Sequence, residues 1–307
     1  MATPIDALPK APAEETAPPG LFRLLLRDRF ALVGAVFLGL LVIAAVLGPL
    51  LIGDLATKLA LGQRNLAPGS LEHGIAYVLG ADSLGRSLLA RLIVGARNTL
   101  GIAAAASLLA ILIGGTLGLI AGYAGRWIGN LIMRLTDIVM SFPSLLLALV
   151  VLFLLGPSIV NLIIVLAITR VPIYLRTTRA EVLEIRERLF VQAARAMGAR
   201  STRIVRRHIL PVVLPTLVTI ATIDFATIIL AESALSFLGL GIQPPSFTWG
   251  AMVANGRNYL GSAWWLAAWP GLAIMLTTLS LNMLSSWART IGDPQQRWRL
   301  EIAGKRR

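Results

Sequence analysis

The stretch that decides the fold runs from Val191 to Pro211 and reads VQAARAMGARSTRIVRRHILP. It has the pattern of a helix, a turn and a second helix, and five of its residues are arginine. The segments on both sides of it are too apolar to be anything but membrane spans. We therefore predict an integral membrane protein with one large water-soluble connection between two of its spans.

The composition supports a membrane domain. Of the 307 residues, 56% are hydrophobic and only 14% are charged, whereas soluble domains carry roughly 25% charged residues. A helix that crosses a hydrocarbon core needs about 20 apolar residues. Six windows meet that length or come close to it: Ala31 to Ile52, Thr99 to Ala121, Leu135 to Leu155, Ser158 to Leu175, Val212 to Ala231 and Trp264 to Leu284. The sequence thus predicts an all-α membrane protein with six transmembrane helices.

The basic residues indicate the orientation of these spans. If the N-terminus is cytoplasmic, the inner segments hold 21 of the 28 Lys and Arg residues, nine of them from Arg176 to Arg207. Because cytoplasmic segments carry an excess of Lys and Arg, we expect both termini in the cytoplasm. The outer segment 53–97 runs against this bias, since it holds five basic residues.

Other classes of protein are disfavoured. The net charge of +13 could suggest nucleic acid, but the basic stretch lacks the interleaved aromatic residues of such a surface. The absence of cysteine excludes a disulfide framework and a thiolate metal site. His73 and His208 are expected on opposite sides of the membrane, so they cannot share a metal.

Four regions are expected along the chain. Residues 1–20 are rich in proline and predict a disordered cytoplasmic tail. Residues 21–98 would hold an interfacial helix with Arg23, Arg27 and Arg29, the first span and an amphipathic outer segment in which Leu84, Leu88 and Leu92 alternate with Arg86, Arg91 and Arg97. Residues 99–290 would form the core with five spans and the connection 176–211, and residues 291–307 a second cytoplasmic tail.

Two features inside the predicted spans concern packing. Gly114, Gly115, Gly118 and Gly122 are small residues that allow close helix packing, which we favour over a direct role in a pore. Pro143 should bend the third span, because proline removes a backbone hydrogen bond.

Ionisable residues within the spans are the candidate functional residues, since they are costly in lipid. Asp137 and Arg170 should lie near the inner leaflet, where a salt bridge or snorkelling explains them. Asp224 falls near the middle of span 5 and Glu232 near its outer end, which makes both possible residues of a substrate pathway. A structural hydrogen bond to a neighbouring helix explains either acid equally well.

The connection 191–211 has a mechanical interpretation. Its arginines can form charge-assisted hydrogen bonds with an acidic partner. Ala193, Ala194 and Ala196 are small enough for a helix that lies in a groove. Gly198 can adopt the positive φ that ends one helix and starts a turn, and Pro211 suits the first turn of the next span. A solvated basic loop that faces anionic lipid is the alternative.

The same connection resembles the EAA loop of bacterial ABC importer permeases, through Gln192, Ala193, Ala194 and Gly198, followed by Leu210 and Pro211. The resemblance extends over roughly Leu79 to Arg297. Similar segments are GADSLGRSLLARLIVGARNTL from Gly80, MRLTDIVMSFPSLLLA from Met133, ESALSFLGLGIQPPSFTWGAM from Glu232 and NYLGSAWWLAAWPGLAIMLTTLSLNML from Asn258. The chain looks most like the C-type permease of the dipeptide, oligopeptide and nickel importers.

The resemblance implies the fold of a type I ABC importer transmembrane domain, a location in the inner membrane of a bacterial cell, and a set of partners. These are a second homologous permease, two cytoplasmic ATPase subunits and an extracytoplasmic solute-binding protein. The coupling helix would comprise Gln192, Ala193, Ala194, Arg195, Ala196, Met197 and Gly198. In this chain Gln192 replaces the acid of the motif, and Val212 follows Pro211 where relatives often have Asn. No cofactor is expected on this chain, since ATP and Mg²⁺ would be used by the ATPases.

The resemblance thus implies one half of an import pore that partner ATPases drive. The alternative functions belong to other classes of protein. No G-x-x-x-x-G-K-[ST] motif occurs, so the chain is not expected to bind ATP through a phosphate-binding loop of its own. No H-E-x-x-H motif occurs either, so the zinc site of metalloproteases is not expected. A membrane enzyme could use Asp224 and Glu232 as an acid and base, although eight helical positions place them roughly 12 Å apart. A passive channel would conduct without ATP. Among cargoes, the resemblance favours peptides, with nickel complexes, glutathione or another small solute as the alternative.

Overall fold

The computed structural model describes residues 24–26 and 28–292. The predicted tail 1–20, Arg23 and Arg27 of the predicted interfacial helix, and residues 293–307 of the second tail lie outside the described residues. The described part is built of helices joined by turns. Ten α-helices form it: α1 (Arg29–Thr57), α2 (Leu88–Tyr123), α3 (Arg126–Met140), α4 (Ser144–Leu155), α5 (Ile159–Ile185), α6 (Leu189–Ala196), α7 (Ser201–Ile204), α8 (Leu210–Phe237), α9 (Trp249–Gly256) and α10 (Trp265–Gly292).

Five helical units of the described chain are long and apolar enough to cross a membrane: α1, α2, α5, the unit Ser201–Phe237 that contains α8, and α10. The pair α3 and α4 is the sixth candidate for a crossing, and its two helices meet at an angle of 84°. The two ends of this pair contact different helices. A Cβ on Gly129 in α3 would lie 2.5 Å from the Ala121 carbonyl at the end of α2, whereas the last residue of α4, Leu155, accepts a hydrogen bond from Asn161 at the start of α5.

The predicted bend at Pro143 is a full break of the helix. α3 ends at Met140, and Pro143 precedes the first residue of α4. Proline disfavours the helical conformation of the residue before it and lacks the N–H group that a continuous helix would use. The two helices can therefore point in different directions within what hydropathy shows as one apolar window.

The second span is much longer than its apolar window. α2 has 36 residues and starts at Leu88, where the Ser87 hydroxyl accepts a hydrogen bond from the Ala90 amide. The predicted outer amphipathic pattern is therefore helical only from Leu88 onward, and that part is continuous with the span. Leu84 and Arg86 instead lie in a turn that Asp82 organises, because its carboxylate accepts hydrogen bonds from the amides of both residues.

The glycines of α2 are packed against α5, as the sequence indicates. A Cβ on Gly114 would lie 2.7 Å from the Val171 carbonyl, one on Gly118 2.7 Å from the Leu175 carbonyl, and one on Gly122 2.6 Å from the Val182 Cβ. Spaced by four residues, these glycines share one face of the helix. Because glycine has no side chain, α2 and α5 approach each other more closely here than any other residue type would allow.

Two separate hydrophobic clusters hold the helices together. The first core joins α1, the first half of α2, α4, the start of α5, the end of α8, α9 and α10, and includes Leu88, Leu152 and Trp249. The second core, at the opposite end of the molecule, includes Tyr174, Val182 and Ile209. It joins the later part of α5 to α6, α7 and the start of α8, and thereby holds the connection singled out from the sequence.

Candidate functional site: the coupling segment and the buried charges

The coupling segment, residues 189–209, is anchored to the second core along one face. Val191 is fully buried and Ala194 is 4% exposed, and both belong to the same buried cluster as Val182 and Ile185 of α5. These two positions are three residues apart on α6 and so lie on the same side of that helix. The segment is thus a fixed part of the fold and not a loose loop.

Gly198 ends α6 with a positive φ of +79°, as predicted from the sequence. The Ala199 amide donates to the Ala194 carbonyl and the Gly198 amide donates to the Arg195 carbonyl. This pair of hydrogen bonds is the Schellman motif, in which the residue after the helix cap takes the left-handed conformation. The chain turns sharply at this point and α7 begins three residues later, at Ser201.

A π-helical turn follows α7 over Val205–Ile209. Ile204 and Ile209 are five residues apart, and both are buried in the second core. In a regular α-helix, residues five apart point in clearly different directions. The wider turn lets both isoleucines face the core, while Arg206 and Arg207 between them remain exposed. The sequence predicts a helix here but gives no sign of this local widening.

The opposite face of the coupling segment is exposed and is both apolar and cationic. Leu189 and Met197 are 83% and 81% exposed, and Gln192, Ala193 and Ala196 are exposed as well. Exposed arginines surround them at positions 195, 200, 203, 206 and 207. The Gln192 side chain donates to the Glu187 carbonyl at 3.0 Å, so it stabilises the start of α6. Large exposed apolar side chains rimmed by charge are typical of a protein-binding surface.

Arginine side chains fasten the coupling segment and the end of α5 to α2. Arg186 donates to the Gly122 carbonyl at 3.0 Å, and the Arg195 guanidinium lies 6.0 Å from the centre of the Tyr123 ring. Since α2 ends at Tyr123, a displacement of the coupling segment would be passed directly to this long helix.

Asp224 lies in a buried cluster with Arg170 and Tyr174 of α5. It is 5% exposed, its carboxylate lies 3.4 Å from Arg170 Nε, and it accepts a hydrogen bond from the Tyr174 hydroxyl at 3.2 Å. Asp137, which we expected near Arg170, pairs instead with Arg176. Arg170 and Asp137 thus each have a salt-bridge partner on another helix. A salt bridge was one of the two explanations that the sequence left open for them.

Glu232 is fully buried and serves as an acceptor for neighbouring hydroxyls. Ser236 and Thr248 donate to one carboxylate oxygen at 2.6 and 2.7 Å. Thr248 also caps α9, because its hydroxyl accepts from the Ala251 amide. Glu232 therefore ties α8 to α9. Thr248 was not among the residues singled out from the sequence, because 16 residues separate it from Glu232 and no local pattern links them.

The two acids share no hydrogen-bonding partner among the described residues, which does not favour a joint role as acid and base. Both have the structural hydrogen bonds that the sequence left open as the alternative to substrate contact. His73 and His208 lie at opposite ends of the molecule, beside Tyr77 and Phe190 respectively. Within residues 24–26 and 28–292, no three His, Asp or Glu side chains are grouped as a metal site requires.

Comparisons with known proteins agree with this architecture. The family described as "Binding-protein-dependent transport system inner membrane component" matches residues 114–298, and the "N-terminal TM domain of oligopeptide transport permease C" matches residues 21–68. The dipeptide transport system permease protein DppC of Alkalihalophilus pseudofirmus is 40% identical over 90% of this chain and 89% of its own length. The di/tripeptide transport system permease protein DppC of Pseudomonas aeruginosa is 43% identical over 74% of this chain and 76% of its own.

A solved structure shows the same fold. The MetNI methionine ABC transporter, in an inward-facing conformation, contains a chain that superposes with a TM-score of 0.53, at 20% identity over 65% of this chain and 95% of that one. The predicted all-α fold of a type I ABC importer transmembrane domain is thus confirmed. With the family matched over more than half of its length, this chain belongs to the inner membrane components of binding-protein-dependent transport systems.

Proposed function

We propose that this chain forms half of the translocation pore of an ATP-driven peptide importer. A second, homologous permease would form the other half. Two cytoplasmic ATPases, which use ATP and Mg²⁺, would drive it, and an extracytoplasmic solute-binding protein would deliver the cargo. The observation that carries the proposal is the coupling segment, because it combines a rigid anchor in the second core with an exposed apolar and cationic face.

Peptides are the proposed cargo because the relatives that are 40% and 43% identical are named as dipeptide and di/tripeptide permeases. Nickel complexes, glutathione or another small solute remain the alternative. The binding protein that delivers the cargo would contribute most of the selection between them.

The charge distribution supports a cytoplasmic coupling segment. Nine arginines lie between Arg176 and Arg207, at the end of the molecule that holds the second core. With α3 and α4 counted as one broken crossing, the described helices would cross six times, and the two chain ends would then lie on the same side. We infer that both termini are cytoplasmic, in accord with the positive-inside rule.

The coupling segment would transmit the movement of the ATPases. Ala193 and Ala196 can fit closely into a groove of the ATPase, Met197 and Leu189 can enter apolar pockets, and the arginines can pair with acidic residues at the rim. The residues that would make this contact are Gln192, Ala193, Arg195, Ala196, Met197 and Gly198. Ala194, which we expected among them, is 4% exposed and belongs to the second core, so it would anchor the helix instead. Because these residues are fixed to α2, α5 and α8, ATP-driven approach of the ATPases would tilt those helices between two packings.

Asp224 and Glu232 act, in this proposal, within the subunit. Asp224 would hold α8 to α5 and Glu232 would hold α8 to α9. Both acids would thus stabilise the packing of the helices that line the translocation pathway. Direct contact with cargo would require a state in which these side chains leave the partners that they now have.

Reconstitution tests the proposal. The complete transporter in proteoliposomes should accumulate a labelled dipeptide only under two conditions. ATP must be present on the side of the membrane where the ATPases lie, and the binding protein must be present on the other side. Excess unlabelled dipeptide should compete, and nickel ions should not. Uptake that continues without ATP would indicate a passive channel, and competition by nickel alone would reassign the cargo.

A further inference from the structure

The outer segment 53–97 carries five basic residues on the side of the membrane where such residues are scarce. Two of them donate hydrogen bonds to backbone carbonyl groups. Arg64 donates to the Ser83 carbonyl at 2.9 Å. Arg91 is 5% exposed, donates to the Ala56 carbonyl and lies 4.0 Å from the centre of the Phe247 ring. Arg86 has a different environment.

Arg86 belongs to a cluster of three charges with an excess of one positive charge. Its Nε donates to Asp82 at 2.7 Å, and Arg91 Nε lies 3.5 Å from the same carboxylate oxygen. Asp82 also accepts from the amides of Leu84 and Arg86. Two guanidinium groups thus share one carboxylate, which also accepts from two backbone amides, so one positive charge of the cluster is not matched by a negative charge within it.

The free hydrogen-bonding capacity of this cluster points into a cleft. Arg86 is partly exposed, and no hydrogen bond joins its two terminal nitrogens to a described residue. Together with Asp82 and Arg91, it lines a cleft of about 300 Å³. Across the cleft lie the exposed amides of Asn255 and Asn258, whose side chains make no hydrogen bond to the part of the chain that the structure describes.

We propose that this cleft receives the carboxylate of an Asp or Glu side chain from the solute-binding protein when that protein docks from outside. Planar guanidinium groups match a carboxylate geometrically, and the Asn amides can donate to it as well. The proposal rests on the proposed function, because it assumes a binding-protein partner and an outer location for this end of the molecule.

The rigidity of the cleft favours a docking contact over a contact with passing cargo. Asp82 holds Arg86 in place through its backbone and its side chain, and Arg91 beneath it is buried against Phe247. A preorganised, partly desolvated guanidinium binds a carboxylate firmly. A partner that must find one orientation on the outer face benefits from such a contact, whereas cargo must be released inward.

A change of charge at the rim of the cleft tests the proposal. In the reconstituted transporter, the double variant Asn255→Asp/Asn258→Asp should raise the binding-protein concentration for half-maximal ATP hydrolysis roughly tenfold, since like charges repel the incoming carboxylate. The increase should shrink at 1 M salt. Ser262→Asp, an exposed residue outside the cleft, is the matched control and should change that concentration less than about twofold.

Carbodiimide cross-linking identifies the source of the carboxylate. Asn258→Lys places an amine at the cleft, and the zero-length reagent should join it to an Asp or Glu of the binding protein, whereas Ser262→Lys should not be joined. The proposal is overturned if the double Asp variant leaves half-saturation unchanged, if it alters only the KM for peptide, or if the cross-link reaches the second permease. A wild-type transporter that works without any binding protein would instead overturn the proposed function, and this proposal with it.

Discussion

Gly198 is the residue on which the shape of the coupling segment depends most. Its φ of +79° is unavailable to proline, whose ring fixes φ near −65°. Gly198→Pro should therefore abolish the turn, and we expect ATP-driven uptake to fall to background. The amount of protein in the membrane should stay near the wild-type level, because the apolar helices that insert into the bilayer are unchanged.

The control for this prediction is Gly198→Asn, because asparagine tolerates the left-handed conformation better than most residues. It should retain most of the uptake. Wild-type uptake by the Gly198→Pro variant would show that the turn plays no part in coupling.

Asp224 and Arg170 make a prediction about stability. Removal of one partner from a buried ion pair leaves an uncompensated charge, which costs about 3–5 kcal/mol. Asp224→Ala should thus lower the thermal midpoint of the purified protein markedly. The double variant Arg170→Leu/Asp224→Leu should lose much less. A midpoint for Asp224→Ala equal to that of the wild type, measured in the same detergent, would remove the stabilising role that we assign to this cluster.

At this scale, the sequence predicts which residues are special more readily than it predicts their partners. Gly198 could be interpreted from its local pattern, because a Schellman motif involves neighbours within six residues. The pairing of Arg170 with Asp224 could not, because it depends on which helices become adjacent. Asp137 lies closer to Arg170 in the sequence than Asp224 does. In the structure, however, Asp137 contacts Arg176, which is on the same helix as Arg170.

Among the helices, the contact between α2 and α5 gives the clearest test. Gly118→Ala would place a Cβ 2.7 Å from the Leu175 carbonyl and 2.5 Å from the Thr178 Cβ. The backbone of α5 can avoid this contact only if the two helices move apart. We therefore expect the free energy of unfolding to fall by roughly 1–3 kcal/mol.

Gly101 on the same helix supplies a matched comparison. It is exposed, and a Cβ there would meet nothing within 4 Å. Gly101→Ala should be neutral or slightly stabilising, because alanine favours a helix by up to about 1 kcal/mol over glycine. Thermal unfolding of the two variants side by side should give shifts of different size or sign. Equal shifts would contradict the close packing of α2 on α5.

Hydropathy predicts the helices well because crossing a bilayer demands long apolar runs. It does not show that the window 135–155 contains two helices at 84°, since an apolar residue scores equally on either side of a break. Nor does it show α9, a helix of eight residues that is too short to cross. The position of α9 depends on contacts remote in sequence, such as the hydrogen bond from Trp249 to the Leu92 carbonyl.

The whole molecule consists of two cores joined by helices that pass through both. The first core holds the end that we propose faces outward, with α9 and the cleft beside Arg86, and the second core holds the coupling segment at the other end. α2, α5 and α8 contribute to both cores, so they can carry a movement from one end to the other. An importer that alternates between two openings needs this connection, because ATP binding and cargo delivery act at opposite ends.

The most direct test of the account is the accessibility of one introduced cysteine, because the chain has none of its own. Met197→Cys lies at the exposed tip of the coupling segment, so a membrane-impermeant maleimide should label it only from the cytoplasmic side. The bound ATPases should protect it from the reagent, and their removal should restore labelling. Ser262→Cys should react only from the outside. Labelling of Met197→Cys from the outside, or labelling that is unaffected by the ATPases, would contradict the claim that the ATPases bind to the coupling segment.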